Sequence, residues 1–486
     1  MNRRTFLKSS IAAAAAVSLP ARTYAQSPGA NSDIRVAVIG FNGRGNDHIK
    51  GYLGQKGVRV VALCDVDTSV LTRGKDQLQK KGAEVETYQD IRKLLENKDI
   101  DAISIATPNH WHSLAGIWGM QAGKDVYVEK PVSHNVWEGR QLVKAADAHQ
   151  KIVQMGVQSR SAIGLASALE WLQDGPLGKL QYVRGLCYKP RPSIGQAEGP
   201  LQIPEQIDFD LWCGPASNEP IHRKKLHYDW HWVWNTGNGD LGNQGIHQMD
   251  IARRFLGEDA LSPKVFAVGG RLGYKDDGET PNSMFIVHDY EKAPLIFEVR
   301  GLPEKSGSKS MDKYRGASIG VVVQYEKGHV LCPNYNDALV FDESGQEVRK
   351  FNRSSPVKNG PTTENHYENF ITAVRSRKPS ELTGKILDGH ISSGLCHTGN
   401  ISYLVGKKSS PEVMREKMEG NKEALDSLAR LLAHLEANEV AVEQDQLTMG
   451  EFLKMDPATE RFVGNAEANA LLTREYRKPF VVPATV

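Results

Sequence analysis

The run Ile34-Arg35-Val36-Ala37-Val38-Ile39 leads without a break into Gly40-Phe41-Asn42-Gly43-Arg44-Gly45. No other feature of the chain restricts its fold as much. A nearly continuous apolar run, without polar alternation, is a strand buried on both faces, and such strands belong to parallel sheets covered by helices on each side. Similar runs follow at Val58 to Leu63, Ala102 to Ala106, Val126 to Val128 and Ile152 to Met155, with helical stretches such as Val136 to Ala148 between them. Strand and helix alternating in this way predict an α/β chain whose first part is a doubly wound parallel sheet.

Beyond about residue 157 the rhythm changes. One helix, Leu165 to Leu172, stops at Asp174-Gly175-Pro176. Strands then dominate: Leu180 to Tyr188, Lys264 to Val268, Ser283 to His288, Leu295 to Val299, Gly320 to Tyr325 and His329 to Cys332. Glu326-Lys327-Gly328 reads as a hairpin turn. The expectation is a C-terminal α+β domain on an open, mainly antiparallel sheet, followed by helices around His366 to Arg375 and Leu387 to Val405. From Lys407 the character shifts again: Leu425, Leu428, Leu432 and Leu435 form one helical stripe, read as a packing face, and the tail beyond Asp445 reads as an extended arm. The expected divisions are 1–25 for a targeting segment, then 33–156, 157–406 and 407–486.

The targeting segment rests on Arg3-Arg4, followed by Thr5, Phe6, Leu7 and Lys8, and on an alanine-rich stretch from Ile11 to Leu19 that is too short to span a bilayer. Small residues precede a cleavage position after Ala25. A twin-arginine signal exports folded proteins, so the expected location is periplasmic or secreted, with no membrane span once the signal is removed; the alternatives for this segment are a Sec signal or a basic N-terminal tail. Lys and Arg number 60 against 58 Asp and Glu, a net charge of +2, which leaves no electrostatic footprint for nucleic acid. The five cysteines are scattered and form no C-x-x-C, so neither a disulfide framework nor a cysteine metal site is indicated.

The glycine turn departs from the G-x-G-x-x-G fingerprint in one place, where Asn42 stands for the middle glycine and Gly43 follows it. Asn tolerates left-handed backbone better than other side-chain-bearing residues. Gly40, Asn42, Gly43, Arg44 and Gly45 are therefore the candidate cradle for a pyrophosphate at a helix N-terminus. The second strand ends at Asp65, twenty residues after Gly45. A carboxylate there accepts from ribose hydroxyls and repels a 2′-phosphate, so NAD is favoured over NADP; the alternative for Asp65 is a helix cap. The third strand ends in Thr107-Pro108-Asn109-His110, at the sheet edge where ligands lie. Thr107, Asn109 and His110 are candidate cofactor contacts, with a helix cap as the alternative for Asn109. The fourth ends in Asp125-Val126-Tyr127-Val128-Glu129-Lys130-Pro131, a buried strand that delivers a lysine to its tip.

Strand, G-x-N-G-x-G, strand, Asp, T-P-N-H-x-H and E-K-P together resemble the glucose–fructose oxidoreductase and inositol dehydrogenase family, Gfo/Idh/MocA, in its secreted Tat-signal branch. The similarity spans about 33–160, and Gly245-Ile246-His247-Gln248-Met249-Asp250 carries it further as G-x-H-x-x-D. The resemblance implies an N-terminal Rossmann domain and a C-terminal α/β domain whose open sheet often supports homo-oligomers. It implies that Glu129 orients the nicotinamide ribose, that Lys130 enters the cleft as the acid–base residue, and that the Lys130–Pro131 bond is cis. It also matches the family's acid–histidine pair to Asn243 and His247, with the acid replaced.

His227 to Asp250 holds three histidines and Trp230, Trp232 and Trp234 among glycines. Aromatic faces beside hydrogen-bonding groups suit a carbohydrate. His227, His231, Trp232, Asn243 and His247 are the candidate substrate contacts, and Lys130 and His247 the catalytic pair. No metal is expected, because three histidines of one segment seldom converge and no H-E-x-x-H is present. The expected function is an NAD-dependent oxidoreductase passing a hydride between a sugar, polyol or sugar-derivative hydroxyl and nicotinamide, on a cofactor that is either tightly bound or exchangeable. Two alternatives stand: a glycosidase that uses NAD transiently, with His231 or Tyr228 as second base, and a non-catalytic nucleotide-bound carbohydrate-binding protein.

Overall fold

The computed structural model describes residues 33–443 and 447–486. The twin-arginine segment lies outside the described residues. The first sheet is six-stranded and all parallel: β1 (Ile34–Ile39), β2 (Val58–Cys64), β3 (Glu86–Tyr88), β4 (Ala102–Ile105), β5 (Asp125–Glu129) and β6 (Val153–Gly156), in the order β3-β2-β1-β4-β5-β6. This is a Rossmann sheet, and its strand order reverses between β1 and β4, where ligands of such sheets bind. The helices α1 (Gly45–Leu53), α2 (Thr68–Gln79), α3 (Ile91–Glu96), α4 (Asn109–Gln121) and α5 (Val136–His149) alternate with the strands. Helix α4 is buried almost all round, because it is sandwiched between the sheet and later parts of the chain.

After a helix α6 (Ile163–Leu172), the second sheet has twelve strands. Its main path runs through β7 (Leu180–Tyr188), β8 (Lys264–Gly270), β9 (Ser283–His288), β10 (Leu295–Arg300), β11 (Ile319–Tyr325), β12 (Gly328–Cys332), β13 (Ala338–Asp342) and β14 (Glu347–Phe351). All these neighbours pair antiparallel except β7 with β10, so the sheet is mixed and mainly antiparallel. One face is covered by α7 (Ile246–Leu256) and α9 (Ile386–Leu404), with Met249, Ile251, Leu395 and Cys396 in the core. The leucine stripe of α10 (Lys422–Ala437) packs on the other face: Leu428 and Leu435 are buried against Phe266, Phe285 and Ile296.

Later segments also complete the first domain's packing. Helix α8 (His366–Ser376) buries Phe370 and Ile371 against Val36 and Val60. Near the C-terminus Phe480 packs on Trp111 of α4, ring centroids 5.5 Å apart. Between 407 and 456 the chain adds edge strands to the second sheet, at Lys407–Lys408, Thr448–Met449 and Leu453–Asp456. Among the described residues no helix is long and apolar enough to cross a membrane.

Candidate active-site cleft

A cleft of about 460 Å³ opens over the carboxyl ends of β1, β2, β4 and β5. Its volume lies within the range of small-molecule and cofactor sites. Gly40 turns the chain out of β1 at φ +74°, and a Cβ there would stand 2.8 Å from the backbone nitrogen of Thr107. Only glycine allows the two strand ends to approach so closely at that φ. Gly45 has no room either: its Cβ would fall 2.2 Å from Gly40 O. Gly43 is different, with nothing within 4 Å of an added Cβ, and it lines the cleft. Asn42 Oδ1 accepts from Arg73 Nη2 at 2.8 Å, which braces the loop where the fingerprint has its middle glycine.

Asp65 also lines the cleft and accepts from the Phe41 N–H at 3.0 Å. The helix cap of α2 is Asp67, which accepts from Ser69 and Val70; Asp65 accepts from the Asp67 N–H at 3.2 Å on its other oxygen, and its remaining lone pairs are left for a ligand. Burial holds the Asp65 carboxyl above its ordinary pKa. Thr107 Oγ1 is buried and without a hydrogen-bond partner. Asn109 does not cap α4; its side-chain amide donates to Asn238 Oδ1 at 2.9 Å and ties the domains together. His110 does not line the cleft: Nε2 lies 2.9 Å from Trp212 O and Nδ1 3.4 Å from Thr236 O. An orphaned hydroxyl, a glycine-lined cradle with open space at Gly43, and apolar walls of Ile39, Ile91 and Leu211 fit an adenine dinucleotide.

At the other end stands the tip of β5. Glu129 is buried and accepts from Arg44 Nε at 2.9 Å, from the Lys130 N–H at 3.2 Å and faces His48 Nε2 at 3.1 Å. Burial alone would raise its pKa, yet the His48 bond and the Arg44 charge hold it well below the usual carboxylate range. His48 is in turn fixed by Ser104 Oγ at 2.8 Å, to which Tyr52 OH donates at 3.2 Å. The Lys130–Pro131 bond is cis. Lys130 Nζ donates to Asn243 O at 2.8 Å and approaches Asn243 Oδ1 at 3.4 Å. Burial lowers the Lys130 pKa below the ordinary lysine value; Glu129 opposes this and Arg44 adds to it.

Asn243 sits in a π-helical turn, Leu241–Gly245, that leads into α7. The expectation was that Asn243 orients His247. Instead it holds Lys130, and no side-chain hydrogen bond joins it to His247. The wider turn takes residue 243 off the i, i+4 register that would set it above the histidine. His247 lies outside the cleft lining, stacks beside Tyr335 with centroids 4.7 Å apart, and keeps a buried Nδ1 without a partner. Burial and the Lys130 charge push its pKa down to about 3, so the ring is neutral.

The remaining wall comes from the second domain. Backbone bonds from Thr68 N to Gln206 O and from Asp208 N to Val66 O lay the segment 206–208 across the loop after β2. Leu211, Trp212, His227, Tyr228, Trp230 and His231 then line the cleft. His227 is at the Asp65 end, 3.8 Å from Asp67. His231 stacks on Trp230 at 3.5 Å, and burial, then Lys130 and Arg191, bring its pKa down to about 3. Trp232 is buried behind the cleft, with the Arg191 guanidinium over its ring. Among the described residues no group of His, Cys, Asp and Glu is placed to hold a metal ion. Sequence reasoning missed the His48–Ser104–Tyr52 relay and the contribution of Leu211 and Trp212. The first had a faint signal in the polar residues of α1; the second had none.

The chain matches the oxidoreductase family with an NAD-binding Rossmann fold over residues 34–157, and that family's C-terminal alpha/beta domain over 180–286. Residues 1–20 match the twin-arginine translocation signal, which marks the chain for export. A glycosyl hydrolase family 109 protein of Shewanella baltica is 32% identical over 203 residues, covering 37% of this chain and 44% of the relative. The chain thus spans under half the length of the curated relatives it matches. Among solved structures, levoglucosan dehydrogenase in complex with NADH and levoglucosan superposes with a TM-score of 0.55 at 17% identity, over 75% of this chain and 95% of that one. The WlbA dehydrogenase of Bordetella pertussis, in complex with NADH and UDP-GlcNAcA, gives 0.54 at 18%, over 75% and 94%. At such identities the likeness concerns the fold.

Proposed function

The chain belongs to the Gfo/Idh/MocA oxidoreductase family, and from that premise we propose that it transfers a hydride between a carbohydrate or polyol CH–OH and NAD. The observation that carries this reading is the position of Lys130. Its ammonium stands at the junction of the two domains, at the end of a cleft that fits a dinucleotide. Two of its three N–H bonds are directed at Asn243, which leaves one for the oxygen of a substrate. With its pKa drawn below the ordinary lysine value, Lys130 is better suited to take a proton from a hydroxyl, or return it to a carbonyl. Glu129 keeps the strand tip in place and holds Arg44 over the glycine loop. Neutral His247 is a poor base, and its unpartnered Nδ1 is open to a hydrogen bond from a ligand. The nicotinamide, when bound, supplies the hydride acceptor or donor. Asp65, which among the described residues is paired with no arginine or lysine, favours NAD over NADP.

The twin-arginine signal supports a periplasmic site of action, where a resident cofactor alternating between two substrates suits a compartment that supplies no free NAD. The test is to denature the purified native protein, identify the released nucleotide, and follow nicotinamide absorbance of the undenatured protein against a panel of sugars and polyols. Release of NAD and a sugar-dependent absorbance change are expected; a protein that carries and binds no nicotinamide nucleotide would refute the reading. A second reading is favoured by the curated relatives named glycosyl hydrolase family 109, together with Tyr228 and His231 in the cleft as candidate second acid–base groups. Cleavage of a glycoside without net NADH would establish it.

A further inference from the structure

One cation beside Lys130 has no role in the chemistry above. Lys189 follows the end of β7, is half-buried, and donates from Nζ to Gln244 Oε1 at 2.9 Å. Gln244 is the residue after Asn243, so two ammonium groups are held by consecutive residues of the same π-helical turn. The charges that weigh most on Lys130 are Glu129, Arg44, Asp240 and Lys189. Glu129 is matched by Arg44. Asp240 is matched by Arg191, whose Nη2 and Nε reach its two oxygens at 2.6 and 2.9 Å. Lys189 is left over: among the described residues it makes no ion pair, and a neutral amide oxygen is its one side-chain acceptor. A half-buried ammonium without a protein counter-charge keeps its remaining N–H donors for water or for an anionic ligand. The partners of Lys189 and Asp240 reach two further hydroxyls: Gln244 Nε2 donates to Tyr335 OH at 2.6 Å, and Arg191 Nη1 donates to Tyr228 OH at 2.9 Å. Tyr228 itself is exposed at the cleft and held at φ +65°, a backbone conformation uncommon for a residue with a side chain.

We propose that Lys189 seats a carboxylate of the substrate, so that the sugar this site takes is a sugar acid, with its reacting hydroxyl on Lys130 and its carboxylate on Lys189. This inference rests on the carbohydrate oxidoreductase reading. One ammonium beside a neutral amide balances one negative charge, which fits a carboxylate better than a dianionic phosphate. Binding is measured by calorimetry on the protein with its cofactor, using D-glucuronate, D-gluconate, D-glucose and glucose 6-phosphate. Wild type should bind at least one of the two acids more tightly than glucose, by about tenfold or more, the scale of one charge-assisted hydrogen bond. Lys189→Gln should abolish most of that preference, and Lys189→Arg should retain it. Glucose bound as tightly as both acids, or a preference that survives in Lys189→Gln, overturns the proposal. Glucose 6-phosphate bound more tightly than either acid overturns the carboxylate assignment. Nicotinamide absorbance is read in parallel. Lys189-dependent binding of an acid with no Lys130-dependent absorbance change would overturn the hydride-transfer reading and leave the anion seat standing.

Discussion

Replacing Lys130 by Met removes the ammonium while keeping the length of the side chain. The fold should tolerate the change. Glu129, which would be the dangerous orphan, keeps Arg44 at 2.9 Å and His48 at 3.1 Å, so no buried carboxylate is left without a partner. The loss to stability is then the pair of Nζ contacts to Asn243 O and Oδ1, about 1–3 kcal/mol. Nucleotide binding should persist, because Gly40, Gly43, Asp65 and Thr107 make the opposite end of the cleft. Hydride transfer should fall by about 10²- to 10⁴-fold, the usual scale for a general acid–base group. The pH profile gives an independent readout. In the oxidising direction the neutral amine is the active form, so the wild-type rate climbs as pH rises through the Lys130 pKa. Because burial has lowered that pKa, the climb should come below the ordinary lysine range. In Lys130→Met this limb should vanish. Single-turnover absorbance of the nicotinamide across a pH series measures both effects. Turnover close to wild type, or an acid limb that survives the substitution, would refute the assignment of Lys130.

Asn243→Asp places a carboxylate 3.4 Å from Lys130 Nζ, which should raise the lysine pKa and move the acid limb of oxidation to higher pH by about one to three pH units; a limb that moves with His247→Ala and not with Asn243→Asp would contradict the geometry. Gly43→Ala should leave thermal stability unchanged or slightly improved, since nothing lies within 4 Å of the new methyl, yet weaken NAD binding by calorimetry; unchanged NAD affinity would mean the pyrophosphate does not lie on this side of the loop. Gly45→Ala should destabilise the protein itself by about 1–3 kcal/mol in denaturant unfolding, because the methyl meets Gly40 O at 2.2 Å; a stability equal to that of Gly43→Ala would contradict this. Asp65→Ala should weaken NAD binding about tenfold and narrow the gap to NADP, and a wild type that binds NADP more tightly than NAD would sink the role given to Asp65.

Much of the frame was legible in the linear chain, for a local reason. Val36, Val38 and Ile39 are apolar in succession because the strand is covered on both sides, and that pattern needs no knowledge of the partner strands. The same holds for the glycine turn, whose backbone demand is set within six residues, and for Asp65, whose distance from Gly45 follows from one helix and one strand. The E-K-P tip pointed to Lys130 because a lysine at the end of a buried strand has few structural uses. The leucines of α10 announced a packing face, since 3.6-residue periodicity is written in the sequence itself.

What the tertiary structure decided concerns groups distant in sequence. Asn243 and Lys130 are separated by 113 residues, and the π-helical turn that aims Asn243 at the lysine instead of at His247 leaves no mark in residue spacing. His110 was read as a cofactor contact and His227 and His231 as substrate contacts; only packing sends the first to the backbone of residues 212 and 236, the second to the Asp65 end, and the third onto Trp230. The charge balance that isolates Lys189 is likewise a sum over β7, the Arg191–Asp240 pair and the 241–245 turn. Secondary structure follows from short-range sterics and local burial pattern, so a sequence reveals it. Protonation states and ligand contacts depend on which distant groups share a few ångströms of low-dielectric space, and only the folded chain specifies that.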